Sequence, residues 1–401
     1  MLRHQPPTAI YLPLSHVRQG IGRSNLDPSQ FQTALEQYLG VRACFLASSG
    51  RAALYLLLQS LSTSRPARSV VLLPAYTCPA LVKVILDAGL RPCPIDISPH
   101  TLAFDMEQLL SHLNEQVLAV ICVHPFGIPQ AIEEVTALAY AAGAVVIEDA
   151  AQAMGARWRG KPVGTLGDFG LFSLGPGKPL SVGGGGVLCT NDEKQAQVLE
   201  QVWRQLPPAT GRQSVMALAR LLLLRAATHP RGWWLAARAG VQRWGDNPNS
   251  WGYAIRRLSP LQTRVGAVQL SELDEINRVR RENGRQLAAR LQALDFVHVP
   301  EAADTAEPIY LRLPVVADTA ERREQLYQLL WSAKLGAGRL YRSTLPELFP
   351  QLDGPPCPGA AQVARCLLTL PTHHYVTPED INRIYACLSE NGPPKFKLVI
   401  G

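Results

Sequence analysis

Between about residues 27 and 190 the chain alternates short, continuously apolar runs with stretches whose apolar positions recur at helical spacing. "DPSQFQTALEQYLG" predicts a helix with Asp27 as N-cap, Pro28 at the first helical position and Gly40 as its stop. "ACFLAS", "SVVLLPA", "RPCPID", "VLAVICVH" and "AVVIEDA" predict strands. "GRAALYLLLQSL", "CPALVKVILDAG", "DMEQLLSHL" and "AIEEVTALAYAAG" predict the helices between them. A strand that is apolar at every position must be covered on both faces, which is the pattern of a parallel sheet between helices. In such sheets ligands sit beyond the carboxyl ends of the strands. The loops "SSGR", "PAYT", "VHPFG" and "EDAAQA" are therefore expected to form the site.

Two further strands, "DFGLFSL" and "GGVLCTN", bracket Lys178, and "DEKQAQVLEQVWRQL" predicts the next helix. The rhythm breaks at residues 214–243. There Leu221 to Leu224 and the pair Trp233 and Trp234 are interleaved with Arg220, Arg225, Arg231, Arg238 and Arg243. From Pro260 one long helix is predicted through "LQTRVGAVQLSELDEINRVRRENGRQLAARLQAL". Strands near "FVHVP" and "IYLRLPVV" and helices near "ERREQLYQLLWSAKL" and "PEDINRIYACL" follow. The expected organisation is an N-terminal arm (1–26), a large α/β domain (27–213), a hydrophobic and basic insertion (214–250), and the long helix with a smaller α+β domain (251–401).

Composition narrows the class without naming a partner. The 401 residues are 47% hydrophobic and 18% charged, a globular balance long enough for two cores. A net charge of +7 suits anionic ligands, and no nucleic-acid partner is expected. Eight cysteines without a C-x-x-C pair, mostly in apolar surroundings, read as reduced core residues of a cytoplasmic protein. "MLRHQPPTAIYLPL" has two prolines where an export signal needs its apolar stretch, so none is expected. No run in the insertion reaches the ~20 apolar residues that span a bilayer. Peripheral contact with the inner face of the membrane, a cap over the substrate cleft and packing across a dimer all stay open for it. No metal site is expected: His373 and His374 lack metal-spaced partners. "GPGKP" fails the phosphate-loop pattern at its last position, so Gly183 to Gly186 read best as a tight turn. His124, at a strand end, is either a site residue or a histidine satisfied by backbone.

The chemistry centres on Asp149 and Lys178. A lysine amine forms an imine with an aldehyde only in its neutral form, which burial or a nearby cation favours. A carboxylate facing the ring nitrogen of pyridoxal phosphate keeps that nitrogen protonated, so the ring can absorb a carbanion's electrons. Asp149 ends the buried strand "AVVIED", and Lys178 sits between Gly177 and Pro179, a poor place for a solvated helix-surface charge. A phosphate is bound by the free N–H groups of a helix N-terminus. Ser49 and Gly50 open such a helix, Arg51 adds a cation and Ser173 a hydroxyl. Glycines 183–186 permit positive φ and close approach to a ligand. Taken singly, Asp149 reads better as an N-cap or loop hydrogen-bond acceptor and Lys178 as a solvated surface charge.

Together these segments resemble a family. "SSGRAAL", "LLPAYTCPALVKVILDAGLRPCPIDI", "VHPFGIP", "IEDAAQAMGARWRGKPVGTLGDFGLFSLGPGK" and "GGGGVLCTNDE" are similar to the DegT/DnrJ/EryC1/StrS family. The likeness resumes at "SPLQTRVGAVQLSELDEINRVRREN" and "LTLPTHHYVTPEDINRIYACL". The resemblance implies a fold-type I pyridoxal phosphate-dependent aminotransferase, with an α/β large domain and a smaller C-terminal domain. It also implies a homodimer acting on an amino donor, glutamate by analogy, and a nucleotide- or carrier-linked keto sugar. By it Asp149 faces the pyridine nitrogen, Gln152 contacts the phenolic oxygen side, Ser49, Gly50 and Ser173 hold phosphate, and Lys178 forms the imine. Lysine rather than histidine at 178 favours transamination over the family's dehydratase branch. Departures fall at Arg51, where threonine is common, and at Cys78, where an aromatic residue usually stacks on the ring. Met154, Gly175 and Ala254 also depart, the last in a segment that carries an asparagine into the partner's site. A lyase or transferase acting on an amino acid, and a silent membrane-associated scaffold of a glycan-assembly complex, are the other readings.

Overall fold

The computed structural model describes residues 3–22, 29–238 and 252–390. Its strands are β1 (Ala43–Ala47), β2 (Val70–Pro74), β3 (Arg91–Ile95), β4 (Val117–Val123), β5 (Val145–Asp149), β6 (Arg157–Trp158), β7 (Lys161–Pro162), β8 (Phe169–Ser173), β9 (Gly186–Thr190), β10 (Val297–His298), β11 (Ala306–Glu307), β12 (Leu313–Ala317) and β13 (Leu367–Leu370). Seven form the main sheet in the order β1-β9-β8-β5-β4-β2-β3. The pairs β2–β3, β2–β4, β4–β5 and β5–β8 are parallel. β9 runs antiparallel to both β1 and β8 because the chain returns from β8 through the Lys178 loop, with no crossover helix to restore its direction.

The first helices are α1 (Leu14–Gly22), α2 (Ser29–Leu39), α3 (Gly50–Ser64), α4 (Ala80–Asp87), α5 (Met106–His112), α6 (Ile132–Ala141) and α7 (Glu193–Arg204). The strands are buried on both faces, as their uninterrupted apolar runs require. Val120, Val146 and Val187 pack under residues of α2 and α6, whereas Leu118, Ile121 and Ile147 pack under α3 and α4. Adjacent strand residues point to opposite faces, so two cores are filled by one run of sequence. Each such fully buried side chain contributes about 1.5–3 kcal/mol relative to exposure. Gly40 ends α2 at φ +67, as expected, while Asp27 and Pro28 lie outside the described residues.

The insertion forms α8 (Gly211–Ala227) and α9 (Trp233–Arg238). A capping box between Thr210 and Gln213 starts α8. Of the run Leu221 to Leu224 only Leu221 is fully buried, while Leu222 and Leu223 are exposed. The insertion is tied to the N-terminal arm: Ile10 N–H donates to Thr228 Oγ1 (3.3 Å) and Arg225 Nε to the Leu12 carbonyl (2.8 Å). Arg243 falls outside the described residues.

Beyond it come α10 (Pro260–Leu270), α11 (Leu273–Leu291), α12 (Ala320–Ser332), α13 (Leu345–Leu348), α14 (Pro358–Cys366) and α15 (Pro378–Glu390). The single long helix expected from Pro260 is two helices. Ser271 caps α10 and donates its hydroxyl back to Val268 (2.8 Å), while Glu272 is drawn aside by Tyr11 Oη (3.1 Å) and His16 Nε2 (3.0 Å). "IYLRLPVV" is strand only from Leu313. Tyr310 turns the chain at φ +46, and residues 309 and 311 donate instead to the carbonyls of Gly127 and Phe126 (2.9 and 2.8 Å). A second sheet, β10-β12-β13, packs on α11, α12 and α15 around a third core.

Candidate active site

Asp149 is the last residue of β5 and only 6% exposed. Its Oδ1 accepts the Ala151 N–H (3.0 Å), and burial raises its carboxyl pKa above the ordinary value against the pull of that N–H, Lys178 and His124. Its neighbour Glu148 points to the other face of the sheet and has another task. It accepts N–H groups from Gly164 (2.8 Å), Leu166 (2.5 Å) and Gly167 (2.7 Å) and pairs with His124 Nε2 (3.0 Å). His124 is thus held by a carboxylate and by the Gln130 N–H rather than by backbone carbonyls. Of two adjacent acids, one builds the loop and the other faces the site.

Lys178 lies in the turn between β8 and β9. The Ser173 hydroxyl accepts the Gly175 N–H (3.3 Å), Lys178 N–H donates to the Gly175 carbonyl (3.3 Å), and Gly177 adopts φ +71. Arg280, fully buried on α11, donates to the carbonyl of Pro179 (3.2 Å) and pins the far side of the turn. Burial lowers the Lys178 pKa, and Arg312 lowers it further, while Cys78 and Asp149 pull it up. Lys178 and Asp149 therefore feel one another's charge, and the amine gives up its proton more readily than an exposed lysine does.

The phosphate-type corner stands at the start of α3. Ser49 is its N-cap and accepts the Ala52 N–H (3.1 Å). A side chain on Gly50 would lie 3.7 Å from Ser173 Cβ, so these two residues are adjacent. Gly183, Gly184 and Gly185 take the positive φ expected of the glycine run. A Cβ on Gly186 would meet the Gly50 backbone at 2.4–2.5 Å, and one on Gly183 would meet Leu221 Cγ at 3.0 Å. Gly186 and Gly183 thus admit the close approach of α3 and α8, while Gly184 borders the cavity beside this corner. Arg51 lies over the Tyr253 ring (5.9 Å), with Cys78, Tyr253 and Arg220 as its charged or polar neighbours. Cys78 also borders Lys178 and hydrogen-bonds Tyr341, so it occupies the middle of the site. Gln152 Oε1 accepts the Phe126 N–H (3.2 Å), which leaves its amide NH₂ as the donor end. Ala254, by its carbonyl, accepts the Ser48 hydroxyl, and Ser48 N–H donates to Arg256 (2.9 Å). That segment covers the phosphate corner of its own chain.

The site has a second wall that the sequence pattern did not single out. Tyr76 donates to the Leu340 carbonyl (2.6 Å) and packs edge-on against Tyr341 (5.7 Å). Arg312 and Thr8 approach Gly177, at 3.7 and 3.1 Å from its Cβ position. A cation inside the apolar run "IYLRLPVV" was the one available signal for Arg312. Beside the phosphate corner opens a cavity of about 810 Å³ bordered by Ser48, Gly184, Arg212, Arg220, Arg256 and Gln262, with no carboxylate among its lining residues. Helix α8 supplies two of those arginines, Arg212 and Arg220.

Known proteins resemble this chain in sequence and fold. The chain is 30% identical over 264 residues to an L-glutamine:2-deoxy-scyllo-inosose aminotransferase of Streptoalloteichus tenebrarius, a match covering 64% of this chain and 55% of the relative's length. It is 27% identical over 297 residues to GDP-perosamine synthase of Escherichia coli O157:H7, covering 74% and 71%. Among solved structures, Helicobacter pylori PseC, an aminotransferase involved in pseudoaminic acid biosynthesis, superposes with TM-score 0.78 over 97% of this chain and 99% of its own, at 16% identity. The aminotransferase TlmJ of Streptoalloteichus hindustanus gives 0.76 over 96% and 97%, at 22% identity. These likenesses establish the fold. The profile of the DegT/DnrJ/EryC1/StrS aminotransferase family matches residues 18–389, nearly the whole chain, and the protein belongs to that family.

Proposed function

We propose that this chain is a pyridoxal phosphate-dependent aminotransferase. It moves an amino group from an amino-acid donor, glutamate by family analogy, to the keto carbon of a nucleotide- or carrier-linked sugar in polysaccharide or antibiotic-type biosynthesis. The observation that carries this reading is the juxtaposition of Asp149 and Lys178, one with raised and one with lowered proton affinity, each within the other's field. Environments that push two titratable groups away from their ordinary values mark acid–base sites. The residues fit the cofactor: an anion corner at Ser49, Gly50, Arg51 and Ser173, a donor at Gln152, a wall at Cys78, a buried acid and a buried amine. When bound, pyridoxal phosphate supplies an aldehyde for attachment and a ring that takes up the electron pair of a deprotonated carbon.

The chain's own groups do the rest. With the cofactor bound, Asp149 would face the ring nitrogen and hold a proton there. Lys178 would be the attachment point and, when free, an amine placed to take the proton from the donor's Cα. Arg280 holds the Lys178 turn through Pro179, so the amine swings from a fixed base. The two named relatives act on acceptors of different charge, an uncharged inosose and a GDP-linked sugar. The cavity carrying Arg212, Arg220 and Arg256 supports the phosphorylated class here.

Borohydride reduction followed by peptide mass mapping tests the reading. A pyridoxyl adduct on Lys178 is expected, and an unmodified Lys178 after incubation with pyridoxal phosphate sinks it. Half-reaction spectra with glutamate and glutamine then identify the donor. We infer a cytoplasmic homodimer as the working form. Exposed Val215, Met216, Leu223 and Leu235 on α8 and α9 support a contact surface there, and the interleaved arginines support a peripheral touch on the inner membrane face. No helix among the described residues is long and apolar enough to cross a membrane. Liposome co-sedimentation with and without 214–243 separates the two: equal partitioning leaves the dimer alone.

A further inference from the structure

Helix α8 is apolar on both faces, and the described residues cover one of them. Leu221 is fully buried, and Leu218 and Leu224 pack beside it on the main core. On the opposite face Val215 and Leu223 are 67% and 63% exposed, and Met216, Leu222 and Leu235 of α9 are exposed with them. A helix that is apolar all round belongs to an environment that encloses it. The exposed arc also carries Arg212 and Arg220, and Arg231 and Arg238 are exposed at α9, the latter over the Trp234 ring (5.3 Å). Charge says what lies against this face. Between Glu200 and Asp246 the sequence has seven arginines and neither a lysine nor an acid, so this stretch carries the chain's whole net charge of +7. A second copy seated face to face would set these arginines against their own counterparts. An anionic lipid surface accepts both kinds of group: apolar side chains enter the acyl boundary while guanidinium groups stay among the phosphates.

The cavity of about 810 Å³ opens along the same helix. Arg212, Met216 and Arg220, each one turn from the next, belong both to its lining and to the exposed arc. Among its lining residues there is no aromatic ring to stack on a base and no carboxylate to hold a ribose, the groups that grip a nucleotide. We propose that α8 and α9 seat this enzyme on an anionic lipid surface and that its acceptor is drawn from there: a keto sugar borne on a lipid phosphate. The phosphates enter the cavity between Arg212, Arg220 and Arg256, and the lipid chain leaves past Met216 toward the bilayer. The proposal rests on the aminotransferase reading and narrows its carrier to a lipid. Residues that hold the acceptor's charge and residues that enter the membrane thus alternate along one helix. The same arginines serve lipid headgroups and the acceptor's own phosphates, because both present the same oxygens.

Two measurements on the full chain, with and without added pyridoxal phosphate, test it. In the first, vesicles of phosphatidylcholine and phosphatidylglycerol in equal amounts are expected to sediment the wild-type chain, and vesicles of phosphatidylcholine alone to leave most of it in solution. Leu223→Glu combined with Leu235→Glu should weaken the partitioning about 10-fold or more. Arg231→Gln combined with Arg238→Gln should weaken it about 5-fold for each arginine. All four side chains face outward, so melting temperatures close to wild type are expected and show that the variants fold. Equal partitioning of wild type onto both kinds of vesicle, or onto neither, overturns the proposal, whatever protein then covers the face. In the second, calorimetry compares geranyl diphosphate, UDP and inorganic pyrophosphate. Geranyl diphosphate is expected to bind about 10-fold more tightly than the other two, and Arg212→Gln combined with Arg220→Gln to weaken it by a similar factor. UDP binding as tightly as geranyl diphosphate, or pyrophosphate doing so, overturns the lipid-borne acceptor. A pyridoxyl adduct on Lys178 beside either failure leaves the aminotransferase reading standing. A chain that passes both tests yet carries no adduct sinks that reading and leaves a lipid-phosphate site.

Discussion

The two walls of the candidate site were made in different ways. The first is built from loops at the carboxyl ends of β1, β2, β5 and β8, and holds Ser49, Cys78, Asp149, Gln152 and Ser173, with Lys178 in the following turn. Its residues sit on elements hydrogen-bonded into one sheet, so their spacing is set by strand geometry. The second wall holds Thr8, Tyr76, Arg312 and Tyr341, most of them from segments far apart in sequence. Tyr310 and Tyr341 at positive φ mark how the backbone bends to bring it together. The comparison teaches that a rigid sheet places the groups proposed to hold the cofactor, while bent connections bring up the wall that faces them.

Breaking the first wall should have the largest effects. Lys178→Ala is expected to abolish the adduct and slow the donor half-reaction by about 10⁴-fold, read by stopped-flow absorbance. Asp149→Asn should keep the covalent attachment yet slow the same half-reaction by about 10²–10³-fold, because an amide cannot hold the ring proton. A loss of attachment in this variant would mean that Asp149 serves structure instead.

The neighbouring acid sharpens the contrast. Glu148→Ala strands three N–H groups and His124, and should cost about 3–5 kcal/mol in urea unfolding, with Asp149→Asn costing far less. If the two variants destabilise equally, the division of labour between adjacent carboxylates is wrong.

The second wall acts on the first through charge. Arg312 lowers the proton affinity of Lys178, so Arg312→Gln removes a repulsion and lets the amine hold its proton to higher pH. The pH at which half the chain captures pyridoxal phosphate, followed by absorbance, is expected to move upward. A downward move would show that Arg312 does not face the amine.

The smallest effect is on acid stability. Buried His373 has its pKa lowered to about 4 from 6.5 by burial, with its Nε2 bonded to the Pro6 carbonyl (2.9 Å). Above pH 6.5 the imidazole is neutral whether the chain is folded or unfolded and has no effect. Between 6.5 and 4 only the unfolded chain binds the proton, so stability falls as pH falls, by up to about 1.4 kcal/mol per pH unit from this group. His373→Asn should flatten that limb, as measured by urea midpoints between pH 7 and 4.5.

Much of the first wall was legible in the sequence. Apolar runs flanked by small polar loops gave the sheet, and "AVVIED" placed Asp149 at a strand end before any coordinates. The break at Ser271 and Glu272 was not legible, since helical spacing continues through it and only contacts with Tyr11 and His16 pull Glu272 away. The strand start at Leu313 was hidden for a similar reason: backbone groups at 309 and 311 found partners at residues 126 and 127. Nor could the glycine run declare that it yields to α3 and α8, because the need for a missing side chain lies in what packs there.

By itself the sequence determined the secondary structure of the large sheet, the side of that sheet on which the proposed site sits, and the acid and amine proposed to carry its chemistry. Those follow from local periodicity, which one stretch of chain expresses alone. Tertiary structure decided which of two adjacent acids faces Lys178, where the insertion lies, and that Arg312 ends beside the Lys178 turn with its Nε unpaired among the described residues. Such outcomes depend on contacts across hundreds of residues, whose energies no single segment contains.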